Sequence, residues 1–543
     1  MNREAKFACG CTFPVDENDK IIFTPEIEKL PLDCSLTWDL ICKGDTKGIF
    51  QLESHLGKSL SKQVLPRSIE ELSDLVAIMR PGCLESVMDG KTLTHHYIDR
   101  KHKRDATTYY HPILESILRT TYGILVYQEQ AMQIAQKVAG FNLQEADTLR
   151  KAIGKKKADE MAKVKTLFIT KAKELGLVTE EEAIEIFSWI EKSQRYSFNK
   201  SHSVAYAVDG YISAYAKAHF PKEFFTAYLL HSKEESDFSD RVRDLVSNAK
   251  NYDIEVLPPS IITRNHNFRI YGDHIICGLS NIKGVGDSVL RDIESTISEV
   301  QTALAKPIDK WSWIEFLLYC AFNIKSDAMT AMISTGALSH LGLSRRKMLY
   351  ELEHVKELTT RDVAFLKNTP GATILDRLKV VAEGEVGKGK PLCSKVKKAK
   401  IEESIKLLEE PPYKLEDSAA WLSEMEQSLL GIALTCSKVD DCDASSANCT
   451  CKDFLNGCGN PALIACQIDE VKEHIIKNGQ KKGGKMAFLK VSDSYGNLDS
   501  VLLFTEAWDK FKDVLIQDNT VMLVGTRDKK NKDTLIVNKV WQI

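Results

Sequence analysis

Phe198-Asn199-Lys200-Ser201-His202-Ser203-Val204-Ala205-Tyr206 is the stretch on which the reading of this chain turns. It places an amide, an ammonium, hydroxyls and an imidazole at the start of a helix expected to run to Pro221. The first turn of a helix leaves backbone N–H groups without helical partners and carries the positive end of the dipole, so polar donors gathered there suit a phosphate. Taken alone, the run reads better as a Ser-capped helix with a polar first turn. Its surroundings reverse that reading.

Three basic sets share the same helical region. Arg80-Pro81-Gly82 follows an apolar helix that Pro and Gly should end, leaving Arg80 at its rim. Arg100-Lys101-His102-Lys103-Arg104 is a dense cationic run, and Arg150-Lys151 with Lys155-Lys156-Lys157 flank Gly154. Charge runs usually end up as solvated surface. A polyphosphate, however, needs several cations converging on one place, and these sets together with Asn199–His202 favour a phosphate or nucleic-acid groove.

The 543 residues are enough for roughly three or four domains. An apolar content of 43% lets each bury a core, and a net charge of −3 excludes a protein that is basic throughout. No apolar run approaches the ~18 residues of a membrane span, and the N-terminus lacks the apolar stretch of a signal peptide. The 14 cysteines therefore read as reduced thiols in a cytosol.

Residues 1–45 read as a short hairpin and connector, with Lys20-Ile21-Ile22-Phe23 as a strand after an Asp16-Glu17-Asn18-Asp19 turn. Helix dominates from 46 to about 255. Ala131–Val138 should end at Gly140, and Thr179 with Glu182 forms a capping box ahead of Ala183, Ile186, Phe187 and Ile190 on one face. Pro258-Pro259 marks a boundary before short strands and small helices over 256–345. A helical connector spans 346–459, with a flexible-looking Gly384–Lys400 stretch and a cysteine patch from Cys436 to Cys466. In that patch only Cys449-Thr450-Cys451 is short-spaced, so ordinary thiols are preferred to zinc and no metal ligand is assigned to the chain.

Two further stretches point to DNA. In Lys283-Gly284-Val285-Gly286, a Gly-hydrophobic-Gly turn between short helices would expose backbone N–H groups to a DNA phosphate. From residue 460 the pattern changes to period two. Strands are expected at Ala462–Val471, Met486–Ser492, Leu498–Phe504, Val521–Gly525 and Thr534–Val540, with a helix near Thr505–Leu515. That is the pattern of an OB-fold β-barrel, a fold that commonly binds oligonucleotides; Lys481, Lys482 and Lys485 lie in its first hairpin and Phe488 would offer a stacking face.

In this order the pieces resemble the C-family of replicative DNA polymerases, the α subunit of bacterial DNA polymerase III. The resemblance rests on Gly48–Ser54, Arg80–Gly82, Tyr97–Lys101, Tyr122–Gln130, Leu149–Lys156 and Phe198–His202, then Leu257–Pro259, Gly278–Gly286 and Leu430–Thr435. It covers residue 46 to the end, weakly over 346–420. It implies a multidomain architecture: mainly α fingers at 46–255, tandem helix-hairpin-helix at 256–345, and the OB domain at 460–543, with 1–45 as a palm-proximal remnant. It implies nucleotide-facing roles for Arg80, Arg150, Lys151, Lys155, Asn199, Lys200, Ser201 and His202.

The family's palm, with two aspartates in a Pro-Asp-x-Asp loop and one after Lys-Phe, finds no match here. The expected function is thus DNA-templated DNA synthesis in replication by a DNA-directed DNA polymerase (a nucleotidyltransferase). This chain would supply the fingers and DNA-binding part and no catalytic residue. Mg²⁺ would be held mainly by a palm-bearing partner subunit and the triphosphate. Expected partners are primer-template DNA, deoxynucleoside triphosphates, that palm subunit and a sliding clamp, with no membrane; the location is the cytoplasm of a bacterial host. Gln427-Ser428-Leu429-Leu430 has a clamp-motif look but overlaps Leu430–Thr435, which favours packing. A split, compact chain suggests a phage origin. The alternatives are a non-catalytic polymerase-derived DNA-binding scaffold, and an N-terminus whose Asp16 and Asp19 supply metal ligands.

Overall fold

Apolar residues spaced three and four apart turn most of the first 221 residues into helix, as that spacing requires. The computed structural model describes residues 4–543 except 156–157, 194–195, 233–237, 357, 387–389, 392–393, 477–482 and 530. It divides into two compact units, Met1–Pro221 and Lys222–Ile543. The helices at Pro221–His231 and Phe238–Lys250, expected among the fingers, contribute Phe225, Leu229, Val242 and Leu245 to the core of the second unit.

The first unit opens with a hairpin, β1 (Glu4–Lys6) against β2 (Thr12–Pro14). Gly10, at φ +91°, turns the chain so that Phe7 N donates to Cys11 O at 2.9 Å. The strand expected at Lys20–Phe23 does not form. That segment makes a single bridge, Val15 to Ile21, before Pro25 ends the extended run. The turn before it is real: Asp16 Oδ1 accepts the N–H groups of Asn18 and Lys20.

Seven helices carry the rest of this unit's argument: α1 (Ser35–Cys42), α2 (Ile69–Ile78), α3 (Gln128–Ala139), α4 (Leu143–Lys155), α5 (Ala158–Leu175), α6 (Glu180–Ser193) and α7 (Lys200–His219). Gly140 stops α3 in the left-handed region at φ +61°. The Thr179–Glu182 box starts α6, with Glu182 N donating to Thr179 Oγ1 at 3.2 Å and Thr179 N to Glu182 Oε2 at 2.8 Å. The apolar face of α6 buries Phe187 5.2 Å from Phe168 of α5. Each such ring stabilises the unit by about 2 kcal/mol. α7 packs on α1 and α2. A Cβ on Gly210 would stand 3.2 Å from Phe50 O, so glycine permits the close approach of the chain at Phe50.

The second unit contains a helical body and a barrel. Val355, Val363, Leu366, Leu378 and Ile401 of the expected connector share one core with Phe225 and Ile293, so the connector is packed structure. Within the stretch expected to be flexible, Lys395–Lys400 are the first turns of a helix, Lys395–Glu409, capped by Ser394. α8 (Asp287–Leu304) follows the glycine turn, and α9 (Ala419–Leu430) precedes the Leu430–Thr435 motif.

The barrel is closed in the order β3 (Ala462–Ile475), β4 (Lys485–Ser492), β5 (Asn497–Leu503), β7 (Leu535–Gln542), β6 (Thr520–Arg527). β5 and β7 pair parallel, and the other pairs are antiparallel. A helix, α10 (Thr505–Phe511), lies between β5 and β6. Strand number, order and helix position match the expected OB architecture. Alternation along β4 buries Ala487, Leu489 and Val491 and leaves Phe488 outside.

Candidate functional site

Two helix starts lie side by side in the first unit. Phe198 N donates to Val126 O and Gln128 N donates to Phe198 O, each at 3.0 Å, so the residues before α3 and α7 are tied by a short parallel bridge. At the start of α7, Asn199 Oδ1 accepts the N–H of His202 at 2.9 Å, and Glu129 Oε2 accepts that of Lys200 at 2.9 Å. These two first-turn N–H groups are therefore engaged within the chain.

Basic and polar side chains gather around the bridge. The Arg80 guanidinium lies 5.0 Å from the Phe198 ring centroid, and the Lys200 ammonium 5.4 Å from that of Tyr127. Among the described residues, Arg80 Nε is buried without a hydrogen-bond partner. Lys200 Nζ is 3.6 Å from Glu70 Oε1. Ser201 and His202 are exposed, and the His202 ring stands 4.0 Å from Tyr206. Arg80, Asn199, Lys200, Ser201 and His202 thus share one neighbourhood.

Beneath them lies a feature the sequence reading missed. Asp74 of α2 is buried, and its two oxygens accept from Tyr127 OH at 2.7 Å and Tyr97 OH at 2.8 Å. Ser73 Oγ lies 3.0 Å from Tyr127 OH, and Ser203 Oγ of α7 donates to Ser73 O at 2.7 Å. Burial pushes the Asp74 carboxyl up to about 6, against the pull of the two tyrosine hydroxyls. The available signal was an aspartate inside the apolar run Leu72–Ile78.

Arg150 and Lys151 form a second group on α4, which packs on α3. Arg150 and Lys151 both pair with Asp147 at 2.8 Å, and these bonds hold the Asp147 carboxyl below its usual range. Lys155 is the last residue of α4. The Arg100–Arg104 run is largely committed to structure. Buried Arg100 donates to Tyr122 O at 3.0 Å, Lys101 pairs with Glu71 at 2.7 Å, and His102 Nε2 is 2.7 Å from Gln63 O.

In the second unit, Gly284 takes φ +90°, and a Cβ on it or on Gly286 would meet nothing within 4 Å. Lys283, Gly284 and Gly286 are exposed on this turn at the head of α8. Val285 points into the core at 2% exposure, so its side chain faces away from any ligand of the turn. The element before the turn is a single 3-10 turn, Leu279–Asn281, in place of the expected helix. On the barrel, Phe488 is exposed opposite Lys472, its ring 6.4 Å from His474, while Lys485 pairs with Glu473 at 2.8 Å. Lys481 and Lys482 lie outside the described residues.

The remaining candidates have structural partners. Cys449, Cys451 and Cys466 lie in the barrel core, where burial raises all three thiols, whereas Cys458 is exposed. Gln427–Leu430 is the end of α9, with Leu430 buried. Just before it, buried Glu426 pairs with Arg345 at 2.7 Å and accepts from Leu434 N and Thr435 N at 2.6 and 2.8 Å. Asp16 holds its turn, and Asp39 pairs with Arg67 at 2.6 Å.

Residues 15–176 match the family described as the bacterial DNA polymerase III alpha subunit finger domain, and residues 253–348 match a helix-hairpin-helix motif. Across 92% of its length the chain is similar to the DNA polymerase III subunit alpha of Aquifex aeolicus, at 33% identity over 38% of that protein. The corresponding figures are 33% over 35% of the Deinococcus radiodurans protein, with 92% of this chain covered. For the Escherichia coli K12 protein they are 29% over 40%, again with 92% covered. The chain thus spans well under half the length of the curated relatives it matches. Among the described residues, no helix is long and apolar enough to cross a membrane.

Proposed function

We propose that this chain, a region of the C-family DNA polymerase III alpha type running from fingers to barrel, works in DNA replication by holding the incoming deoxynucleoside triphosphate and the primer-template. The observation that carries the reading is the convergence of Arg80 and Lys200 on the Phe198–Tyr127 bridge. Two cations near one point, beside a polar helix start, neutralise a triphosphate tail. Asn199 orders that start by capping it, and Ser201 and His202 add donors at its exposed edge. Arg150, Lys151 and Lys155 of α4 extend the positive surface along the nucleotide or template.

The exposed Gly284–Gly286 turn suits a duplex phosphate approached by backbone, and Phe488 with Lys485 suits single-stranded template. The carboxylates nearest the helix start are taken up by Lys200, and Asp16 and Asp39 by their own partners. This arrangement does not fit a Mg²⁺ cage, and no metal-dependent step is assigned to these residues. Bond making is assigned to a palm-bearing polypeptide outside them.

Primer extension by this chain mixed with a palm-bearing polypeptide from the same source tests the reading. Extension that requires both, and falls in Arg80→Ala and Lys200→Ala, is expected. A pair that neither associates nor extends primers overturns it. The carboxylates of Glu70 and Glu129 beside Lys200 favour a second reading, a DNA-binding scaffold without a triphosphate site. DNA binding without nucleotide binding would select it.

A further inference from the structure

The opposite end of α7 gathers four side chains that the nucleotide reading leaves unused. The sulfur atoms of Cys9, Cys11 and Cys34 and a ring nitrogen of His219 all lie within 4.8 Å of one another. Cys34 Sγ is 3.2 Å from His219 Nε2, and Cys9 Sγ is 3.9 Å from it. A tetrahedral zinc ion with bonds of ~2.3 Å to sulfur and ~2.0 Å to nitrogen spaces its ligands about 3.5–3.8 Å apart. The four atoms therefore surround a point of the right size and need only a small inward movement to close on it.

The local fold presents these groups deliberately. Cys9 and Cys11 flank Gly10 in the β1–β2 turn; the left-handed glycine bends the chain tightly there, and a Cβ on it would meet nothing within 4 Å. Cys34 is the residue that caps α1, and His219 closes the last turn of α7. Cys11, Cys34 and His219 are buried. Phe7 and Phe13 stand edge-on to the imidazole at 5.3 and 5.4 Å, and Tyr215 lies 4.3 Å from it. Buried His219 Nδ1 has no hydrogen-bond partner, so among the described residues the imidazole's polar contacts run to sulfur.

We propose that Cys9, Cys11, Cys34 and His219 bind one Zn²⁺ as a structural Cys₃His site. Four protein ligands complete a tetrahedron and leave no open position, which marks a structural ion. As the three Zn–S bonds form, each thiol releases its proton to solvent, and His219 binds as neutral imidazole. The ion would tie the first hairpin and the start of α1 to the end of α7, the helix whose other end carries Asn199–His202.

The test uses the full chain, purified without chelator and analysed for zinc by mass spectrometry, then exchanged with Co²⁺. One zinc per chain is expected. The cobalt form should show the intense visible bands of four-coordinate Co²⁺ and near-ultraviolet sulfur-to-cobalt charge transfer. Cys9→Ser and Cys34→Ser should lose both, while a Cys436→Ser/Cys442→Ser variant keeps them. Zinc far below one per chain with no four-coordinate cobalt spectrum overturns the proposal, as does a disulfide among Cys9, Cys11 and Cys34. Undiminished zinc in folded Cys9→Ser and Cys34→Ser overturns it too. If those variants fail to fold, the wild-type cobalt spectrum alone decides.

Discussion

The two ends of α7 are built on opposite plans. At Asn199–His202 the side chains are exposed or half-buried, and their charges face carboxylates and aromatic rings at some distance. At Tyr211–His219 the helix is sealed. Tyr211 packs 4.8 Å from Trp38, and Lys217, with no exposed surface, donates to Asp45 Oδ1, Asp45 O and Lys47 O at 2.8, 3.1 and 3.0 Å. One lysine of this helix is thus half-exposed beside Glu70 and another is fixed as a structural bolt. Charge in a sequence says nothing about which is which; the partners decide.

The sealed end should respond most to damage. Removing zinc from the full chain with a chelator is expected to lower the stability of the Met1–Pro221 unit by more than about 5 kcal/mol. Calorimetry with and without restored Zn²⁺ measures this, and an unchanged Tm would separate the cluster from the fold. Lys217→Met should follow at roughly 3 kcal/mol, because it removes a buried charge that donates to the Asp45 carboxylate and to two carbonyls. Urea unfolding reads that loss.

Between the two ends lies Asp74, and it gives a pH signature. Its folded value of about 6 stands above the ~3.9 of an unfolded aspartate, so the native state holds the extra proton between those values. Its contribution is fully present below pH ~4 and is lost as pH rises through about 6, a change on the order of 3 kcal/mol. Asp74→Asn should flatten that part of the stability–pH curve; a wild-type slope retained in the variant would place the titration elsewhere. The smallest effect is expected at the open end. Asn199→Ala removes a helix cap worth about 1 kcal/mol, visible as a small shift in the urea midpoint.

Much of this was legible in the sequence because it is local. Gly140, the Thr179–Glu182 box, the barrel strands and the Asn199 helix start depend on residues within a few positions of one another. What escaped is long-range. Cys9, Cys11, Cys34 and His219 are brought together across most of the first unit, and no spacing rule joins a histidine 185 positions from its cysteine partner. Asp74 reads as an interruption of an apolar helix until Tyr97 and Tyr127 arrive from elsewhere in the chain. In the Arg100–Arg104 run, carbonyls and Glu71 claim much of the donor capacity, which charge in the sequence does not show.

The most direct measurement is the equilibrium affinity of the full chain for a deoxynucleoside triphosphate with Mg²⁺, compared across Arg80→Ala, Lys200→Ala and a control, Lys103→Ala, at the exposed end of the Arg100–Arg104 run. Cationic convergence at the open end of α7 predicts that Kd rises about tenfold in each of the first two and stays put in the control. Equal affinities in all three variants, or a loss shared by Lys103→Ala, would contradict it.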